Sequence, residues 1–378
     1  MIYFDNAATT LVNKEVLNTY NKISLELYAN PSSPHAFAKE SDAYLARARN
    51  AILSLLHLND TYEVIFTSNA TEANNLGMVG YCLANPYNGK EIITTKVEHA
   101  SVLEPLKYLE DNHGYTIHYV DVDEFGKVDI DHLKSLINKN TVLVSIMSIN
   151  NELGTINDLV AIKEAIKNKN ENTAFYSDST QAIGKADLKF NSCDFLCLSA
   201  HKIHGLKGAG VLIKKRKLRI APFVHGGGQE GGLRSGTVDV AGAYCLAKAL
   251  QISVISLKKN QNYVQNLFNH LYAKLEENDQ LFLINSPKNS SPYILNFSLK
   301  TAKASVVTEA LSMKGIMVSS VSACSSKKEP LSYVLLAIGR NEDEAKNSIR
   351  VSFSIDNTVE EIDTFINTLI EICMEIRK

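Results

Sequence analysis

Between Glu63 and Ile213 short apolar runs alternate with amphipathic helical patterns. V-I-F-T precedes a helical pattern from Thr71, I-I-T-T one from about Ala100, I-H-Y-V one near 130–138, and V-L-V-S-I-M one near 157–168. Further strand-like runs fall at 173–177, 194–199 and 209–213. Strands joined by helices over such short connections pair mainly in parallel, and the resulting sheet is covered on both faces. The expected fold class is therefore α/β: a large domain with a mainly parallel, seven-strand-like sheet between helical layers. Ligands of such sheets bind beyond the carboxyl ends of the strands, so residues directly after strands are the first candidates for chemistry.

The texture changes after a long helical pattern over 238–277. Strand-like runs near 281–284, 293–299 and 349–354 alternate with helical patterns near 303–313 and 358–376. This reads as a smaller α+β domain. The expected division is 11–257 for the large domain, with 1–10 and 258–378 forming the small one. Residues 3–10 read as a short strand and a polar turn, 13–28 and 34–57 as helices, the second with Ala43, Ala48, Ile52 and Leu55 facing inward.

The 378 residues are 45% hydrophobic and 21% charged, which suits a folded soluble protein. A formal net charge of −2 argues against a nucleic-acid footprint. The one basic run, Lys214–Lys217, follows an apolar strand and reads as a solvated strand exit. No apolar run approaches the length of a membrane span, and the first ten residues lack a secretory pattern. The six cysteines show no C-x-x-C spacing, and Cys193 and Cys197 flank an apolar strand. A reducing cytoplasm is the expected compartment.

Two of the apolar runs end in chemistry-bearing residues. One closes on Asp178 and the other on Ser199-Ala200-His201-Lys202, followed by the glycines 205, 208 and 210. A lysine directly after a buried strand is partly desolvated, which favours a neutral, nucleophilic amine against an ordinary pKa of about 10.4. Pyridoxal phosphate requires such a lysine, and a carboxylate against its pyridine nitrogen. At about 4 Å and an effective dielectric of about 20 that pair gains about 4 kcal/mol before desolvation, enough to keep the ring protonated. Taken alone, both residues are equally readable as ordinary loop charges.

Other positions follow strands too. Asn69-Ala70-Thr71-Glu72 opens a helix, either as an anion cradle or as a plain N-cap. His99, at a strand-to-helix junction, suits either stacking and proton transfer or a structural hydrogen bond. Asn150, Asn151 and Glu152 follow a fully apolar strand, where amides need partners. His225–Thr237 is glycine-rich with an anion-binding look, though it lacks the dinucleotide pattern. Cys324 stands apart from the other cysteines in a polar loop of small residues, and Lys327 and Lys328 would favour its thiolate.

The motifs F-D-N-A-A-T-T, N-P-S-S-x-H, A-T-E-x-N-N, E-H-x-S-V, N-N-E-L-G, D-S-T-Q-A-I-G-K, S-A-H-K-I-H-G-x-K-G, G-G-G-Q-E-x-G-L-R-S-G-T, S-A-C-S-S and S-I-R-V-S-F occur in this order over nearly the whole chain. Together they resemble the cysteine desulfurases, which are pyridoxal-phosphate enzymes of the fold-type I, class-V aminotransferase group. The resemblance implies that Lys202 carries the Schiff base, Asp178 pairs with the pyridine nitrogen and His99 stacks on the ring. It implies a phosphate site of Ala70, Thr71, Ser199 and His201, with Thr237 contributed by the other subunit of a homodimer. Asn151 and Gln181 would contact the ring hydroxyl, Arg350 (with Asn151) the substrate carboxylate, and Cys324 would accept the sulfur of L-cysteine. A persulfide on Cys324 would then pass to an acceptor protein for iron–sulfur clusters, thiolated tRNA or cofactor synthesis. An aminotransferase, or a selenocysteine or cysteine-sulfinate lyase on the same fold, is the alternative. A non-catalytic scaffold that keeps the fold is a rival of another class. Val321, Gly231 and Leu206 depart from the family pattern, where Gly, Arg and Pro are usual; none touches the core chemistry.

Overall fold

The computed structural model describes residues 1–320 and 331–376. Its strands are β1 (Ile2–Tyr3), β2 (Tyr62–Thr67), β3 (Glu91–Thr95), β4 (Thr116–Val120), β5 (Thr141–Ser145), β6 (Ala174–Asp178), β7 (Phe195–Ser199), β8 (Gly210–Lys215), β9 (Phe282–Ile284), β10 (Ile294–Leu299), β11 (Ile316–Met317), β12 (Ser319–Ser320) and β13 (Ser348–Ser352). The large sheet has seven strands in the order β2-β8-β7-β6-β5-β3-β4. All run parallel except β8, which is antiparallel to both of its neighbours.

Both faces of this sheet are buried, and the period of two along each strand decides which residue serves which face. Leu196 and Leu198 of β7, with Val211 and Ile213 of β8, join the core under the helices Lys14–Glu26, Ala36–Leu55 and Val240–Ile255. Phe195, Cys197 and Leu212 point the other way, into the core under Ala70–Ala84 and Ala100–His113. The helix over Ala70–Ala84 is held tightly to the sheet. A Cβ at Gly77 would stand 2.6 Å from the Tyr176 ring and 2.9 Å from Leu212, so only glycine permits this approach. Asn75–Val79 inside it is π-helical, a widened turn that often accompanies functional sites.

The small lobe is an antiparallel sheet, β12-β13-β10-β9, packed on the helices Leu257–Glu276, Ala304–Met313 and Val359–Ile376. Phe4 and Ala7 belong to its core as well. The short strand read at the start of 3–10 is Ile2–Tyr3, which pairs with β11, and the polar turn follows it. Asp5 bridges to Ser352, and the chain from Asp5 to Thr10 then crosses to the large lobe as a strap. The helical pattern over 238–277 is two helices, Val240–Ile255 and Leu257–Glu276, bent by 69° at Ser256. No single helix among the described residues is long and apolar enough to cross a membrane.

Two details differ from the sequence reading. In the second helix Ala48 and Ile52 face inward, but Ala43 and Leu55 are only half-buried; Leu45 and Leu53 complete the apolar stripe. The basic run is not a solvated exit throughout. Lys214 is 2% exposed and its Nζ lies 2.5 Å from Glu63 on β2, while Lys215 pairs with Asp194 at 2.7 Å. Both lie within β8, and the acidic partners offset the desolvation of their charges. Only Arg216 and Lys217 are solvated.

Candidate active site

Strands β2, β3, β5, β6 and β7 run parallel, and their carboxyl ends share one edge of the sheet with the strap and β13. Every site residue predicted above, apart from Thr237 and Cys324, lines a single cavity of 660 Å³ at that edge. Thr237 is exposed on the glycine-rich segment and does not reach it within this chain. Cys324, with Val321, Lys327 and Lys328, lies outside the described residues. Gly231 adopts a left-handed backbone (φ 64°) in that glycine-rich segment, and Leu206 packs half-buried on the large core.

Asp178 ends β6 and is 6% exposed. Its Oδ1 accepts from the Thr180 amide at 3.0 Å and its Oδ2 from Asn74 Nδ2, also at 3.0 Å. Asn74 is fully buried on the π-bulged helix, and its own Oδ1 accepts from the Tyr176 hydroxyl at 2.7 Å. That bond settles which way the amide faces, so its two donors must point to Asp178 and to Ser101 Oγ (2.9 Å). Ser101 in turn reaches His99 Nδ1 at 2.8 Å, and its backbone N–H donates to the same nitrogen at 3.1 Å. Nδ1 is thus an acceptor, and the proton of the neutral ring sits on Nε2. Burial lowers the pKa of His99, with Asp178 opposing and Lys202 adding to the shift. His99 therefore caps the Ala100–His113 helix with one nitrogen and faces the cavity with the rest of its ring.

Lys202 lies in the short 3₁₀ turn Ala200–Lys202 after β7. Its Nζ donates to the carbonyls of Ala7 (2.7 Å) and Ala8 (2.8 Å) on the strap. Desolvation, then the nearby Arg350 guanidinium, pushes its pKa down to about 8. His201 meets Thr9 Oγ1 at 3.1 Å, and burial with the neighbouring lysines pushes it down to about 4, so it is neutral at physiological pH. Ser199 Oγ accepts from the Ala70 amide at 2.7 Å, which leaves its own proton to donate. Asn69 does serve as the N-cap, accepting from the Glu72 amide at 2.9 Å. A Cβ at Gly210 would stand 2.6 Å from Asn69 Cα, so the glycine lets β8 press that cap against the sheet edge.

Arg350, on β13, reaches across from the small lobe. One terminal nitrogen donates to the Asn151 carbonyl and the other to Asp5 Oδ1, both at 3.0 Å. Among the described residues its Nε, which is buried, has no partner, and neither does Asn151 Oδ1. Asn150, by contrast, is satisfied: it donates to the Val97 carbonyl and accepts from the amides of Glu152 and Leu153. The pattern distinguishes a structural amide from one left for a ligand.

Asn74, Tyr176, Ser101, Asp5 and the Ala7–Ala8 carbonyls were not singled out by the sequence. A buried asparagine in the apolar stretch A-N-N-L-G was the available signal for the first. Glu98 was also passed over. It is fully buried beside the site, with Oε1 accepting from Met147 N–H (2.8 Å) and Oε2 without a partner among the described residues. Burial pushes its carboxyl up to about 8. A raised folded-state pKa gives stability that is whole below the unfolded value and is lost as pH climbs through the folded one. Glu98→Gln is therefore expected to abolish a fall in denaturant midpoint between about pH 4.5 and about pH 8 that the unmodified protein shows.

The donor set suits pyridoxal phosphate. A buried carboxylate, a depressed lysine amine and an aromatic imidazole line a cavity whose wall also offers hydroxyls, and two buried polar atoms there have no partner among the described residues. Residues 2–365 match the class-V aminotransferase family. The chain belongs to that family, and it is a pyridoxal-phosphate enzyme of fold type I. It is 37% identical over 382 residues to the NifS/IcsS protein homolog of Lactobacillus delbrueckii subsp. bulgaricus, covering 100% of this chain and 98% of that protein. It is 36% identical to the cysteine desulfurase IscS of Clostridium botulinum, covering 100% and 95%. Among solved structures, a NifS-like protein superposes with a TM-score of 0.92 at 35% identity, with 99% of each chain covered. SspA in complex with cysteine superposes at 0.81 with 29% identity, covering 94% of this chain and 99% of that one.

Proposed function

We propose that this protein is a cysteine desulfurase that takes sulfur from L-cysteine, releases L-alanine and passes the sulfur onward through Cys324. The observation that carries this reading is the convergence of Lys202, Asp178 and Arg350, from both lobes, on one cavity. Bound pyridoxal phosphate supplies an electron sink for the α-carbon of the substrate; the rest falls to the chain.

Arg350 holds the substrate carboxylate in the orientation that Asp5 and the Asn151 carbonyl impose on its guanidinium, and Asn151 stands beside it. Lys202, with a pKa of about 8, is neutral in a useful fraction near pH 7 and moves the α-proton. Asp178 is the countercharge for a protonated ring nitrogen, and Asn74 with the Thr180 amide keeps it aimed. The Cys324 thiolate attacks the sulfur of the substrate. The carbon–sulfur bond breaks, a sulfur–sulfur bond forms, and Cys324 is left as a persulfide while the carbon skeleton leaves as alanine. A thiol-exchange-like step then gives the sulfur to an acceptor protein.

The working unit in this proposal is a homodimer, in which Thr237 of each chain completes the phosphate site of the other. The exposure of Thr237 on the glycine-rich segment supports it. Relatives named IscS favour iron–sulfur assembly as the destination of the sulfur, with tRNA thiolation as a further outlet. Five free, buried cysteines among the described residues suit a reducing cytoplasm.

The test is to incubate the purified, cofactor-loaded protein with L-cysteine and a thiol reductant and measure alanine and sulfide. Equal yields of the two are expected. Cys324→Ala should keep the bound cofactor and lose sulfur delivery. Undiminished alanine release from that variant would point to an aminotransferase or lyase and overturn the proposal.

A further inference from the structure

Behind the strap, on the side away from the substrate cavity, a second cavity of 420 Å³ separates the lobes. Lys185 and Lys202 both contribute to its wall. Lys185 is only 8% exposed, and no carboxylate among the described residues lies within ion-pairing distance of it. Buried lysines usually have such a partner. This one donates instead to Gln181 Oε1 at 2.9 Å, with the Tyr293 ring centroid 5.8 Å from its Nζ.

A donor on Oε1 permits one amide orientation only, so Gln181 turns its Nε2 to the Ala7 carbonyl at 3.0 Å. That carbonyl also receives Lys202 Nζ at 2.7 Å. Lys185, Gln181, Ala7 and Lys202 thus form an unbroken relay from the rear cavity to the reacting amine.

We propose that Lys185 is a positioning residue for Lys202, acting through the Gln181 amide and the Ala7 carbonyl. The charged groups around Lys185 are of both signs. Lys202, His201 and His204 face it from the turn after β7 and Arg350 from β13, while Lys14, Glu15 and Asp356 also line the cavity and Tyr293 is uncharged. Burial first, then Lys202 and Arg350, pushes Lys185 down to about 7, so it is largely neutral where Lys202 titrates. The relay therefore carries its influence: a Gln181 amide held on the Ala7 carbonyl leaves that oxygen a weaker acceptor for the Lys202 ammonium and favours the neutral, nucleophilic amine. The role rests on Lys202 being the cofactor-bearing residue, but the amine's own titration can be read without any turnover.

The experiment uses the full-length chain freed of cofactor. Lys202 is labelled by reductive methylation across a pH series, and the extent at that residue is read by mass spectrometry. The midpoint in the unmodified protein is expected near a pKa of about 8. Lys185→Met, of similar length, releases the Gln181 amide and should raise the midpoint by about 0.5 pH unit, the scale of one cooperating hydrogen bond. Lys185→Arg restores the donor and should bring it back. Gln181→Leu cuts the relay at its second member and should raise the midpoint at least as far. It decides the matter if Lys185→Met does not fold, as judged by thermal unfolding. The pH profile of kcat/KM in the loaded enzyme should move in the same direction. An unchanged Lys202 midpoint in the folded variants overturns the proposal; absence of L-cysteine turnover in the loaded, unmodified protein, with the midpoints shifting as expected, overturns the desulfurase reading alone.

Discussion

Lys202→Ala is expected to lower L-cysteine turnover by at least about a thousandfold, the upper range of what one positioned acid–base group contributes. The loss should be larger than for any neighbour, because among the described residues no other amine lines the substrate cavity. Lys185 is screened from the cavity by the strap and by Gln181. Two readouts check this. Alanine formation should fall to background, and borohydride treatment of the loaded protein should no longer fix cofactor mass to the peptide containing residue 202. The fold should survive. The methylene chain leaves a partly exposed site, and its two hydrogen bonds go to strap carbonyls that water can serve instead.

The second large effect is expected at Arg350. Arg350→Ala would remove the charge-assisted contact to the substrate carboxylate proposed above, and hydrogen bonds of that kind contribute about 1.5–3 kcal/mol each. A fall in kcat/KM of about two to three orders of magnitude follows, carried chiefly by KM if the contact is equal in ground and transition states. Arg350→Lys should recover little, since a single ammonium cannot serve Asp5, the Asn151 carbonyl and a carboxylate in the fixed geometry of the guanidinium. Steady-state kinetics with L-cysteine would separate the two parameters. Tight binding retained in the alanine variant would show that the carboxylate is held elsewhere.

The large sheet was legible because strands buried on both faces must be largely apolar, and V-L-V, A-F-Y and F-L-C-L make up most of β5, β6 and β7. Direction was not written in the same code. Nothing in G-V-L-I marks β8 as antiparallel, since its reversal is set by the turn from Ala200 to Gly208 and by pairing on both sides. The two-residue strands β1, β11 and β12 carry too few residues to show a period. At the site, strand-ending residues such as Asp178, His99 and Lys202 were legible from position and chemistry. The residues that aim them were not. Asn74 looks like a helix interior, Asp5 like a turn and Lys185 like surface charge; each acquires its meaning from a partner 104, 345 or 4 positions away. The apparent solvation of Lys214 failed for the same reason, because Glu63 on β2 is remote in sequence.

The strap has a consequence for how the molecule comes into being. Asn6 bonds to the Ser352 carbonyl, a partner made 346 residues later. During synthesis the parallel strands of the large lobe can assemble while Ala7 and Ala8 still lack the β13 anchor that brings them over Lys202. Contacts so distant along the chain close slowly and late. Until β13 is made the cofactor chamber is therefore roofless, and competence to hold and use the coenzyme arrives only when the strap is tied to a strand synthesised long after it.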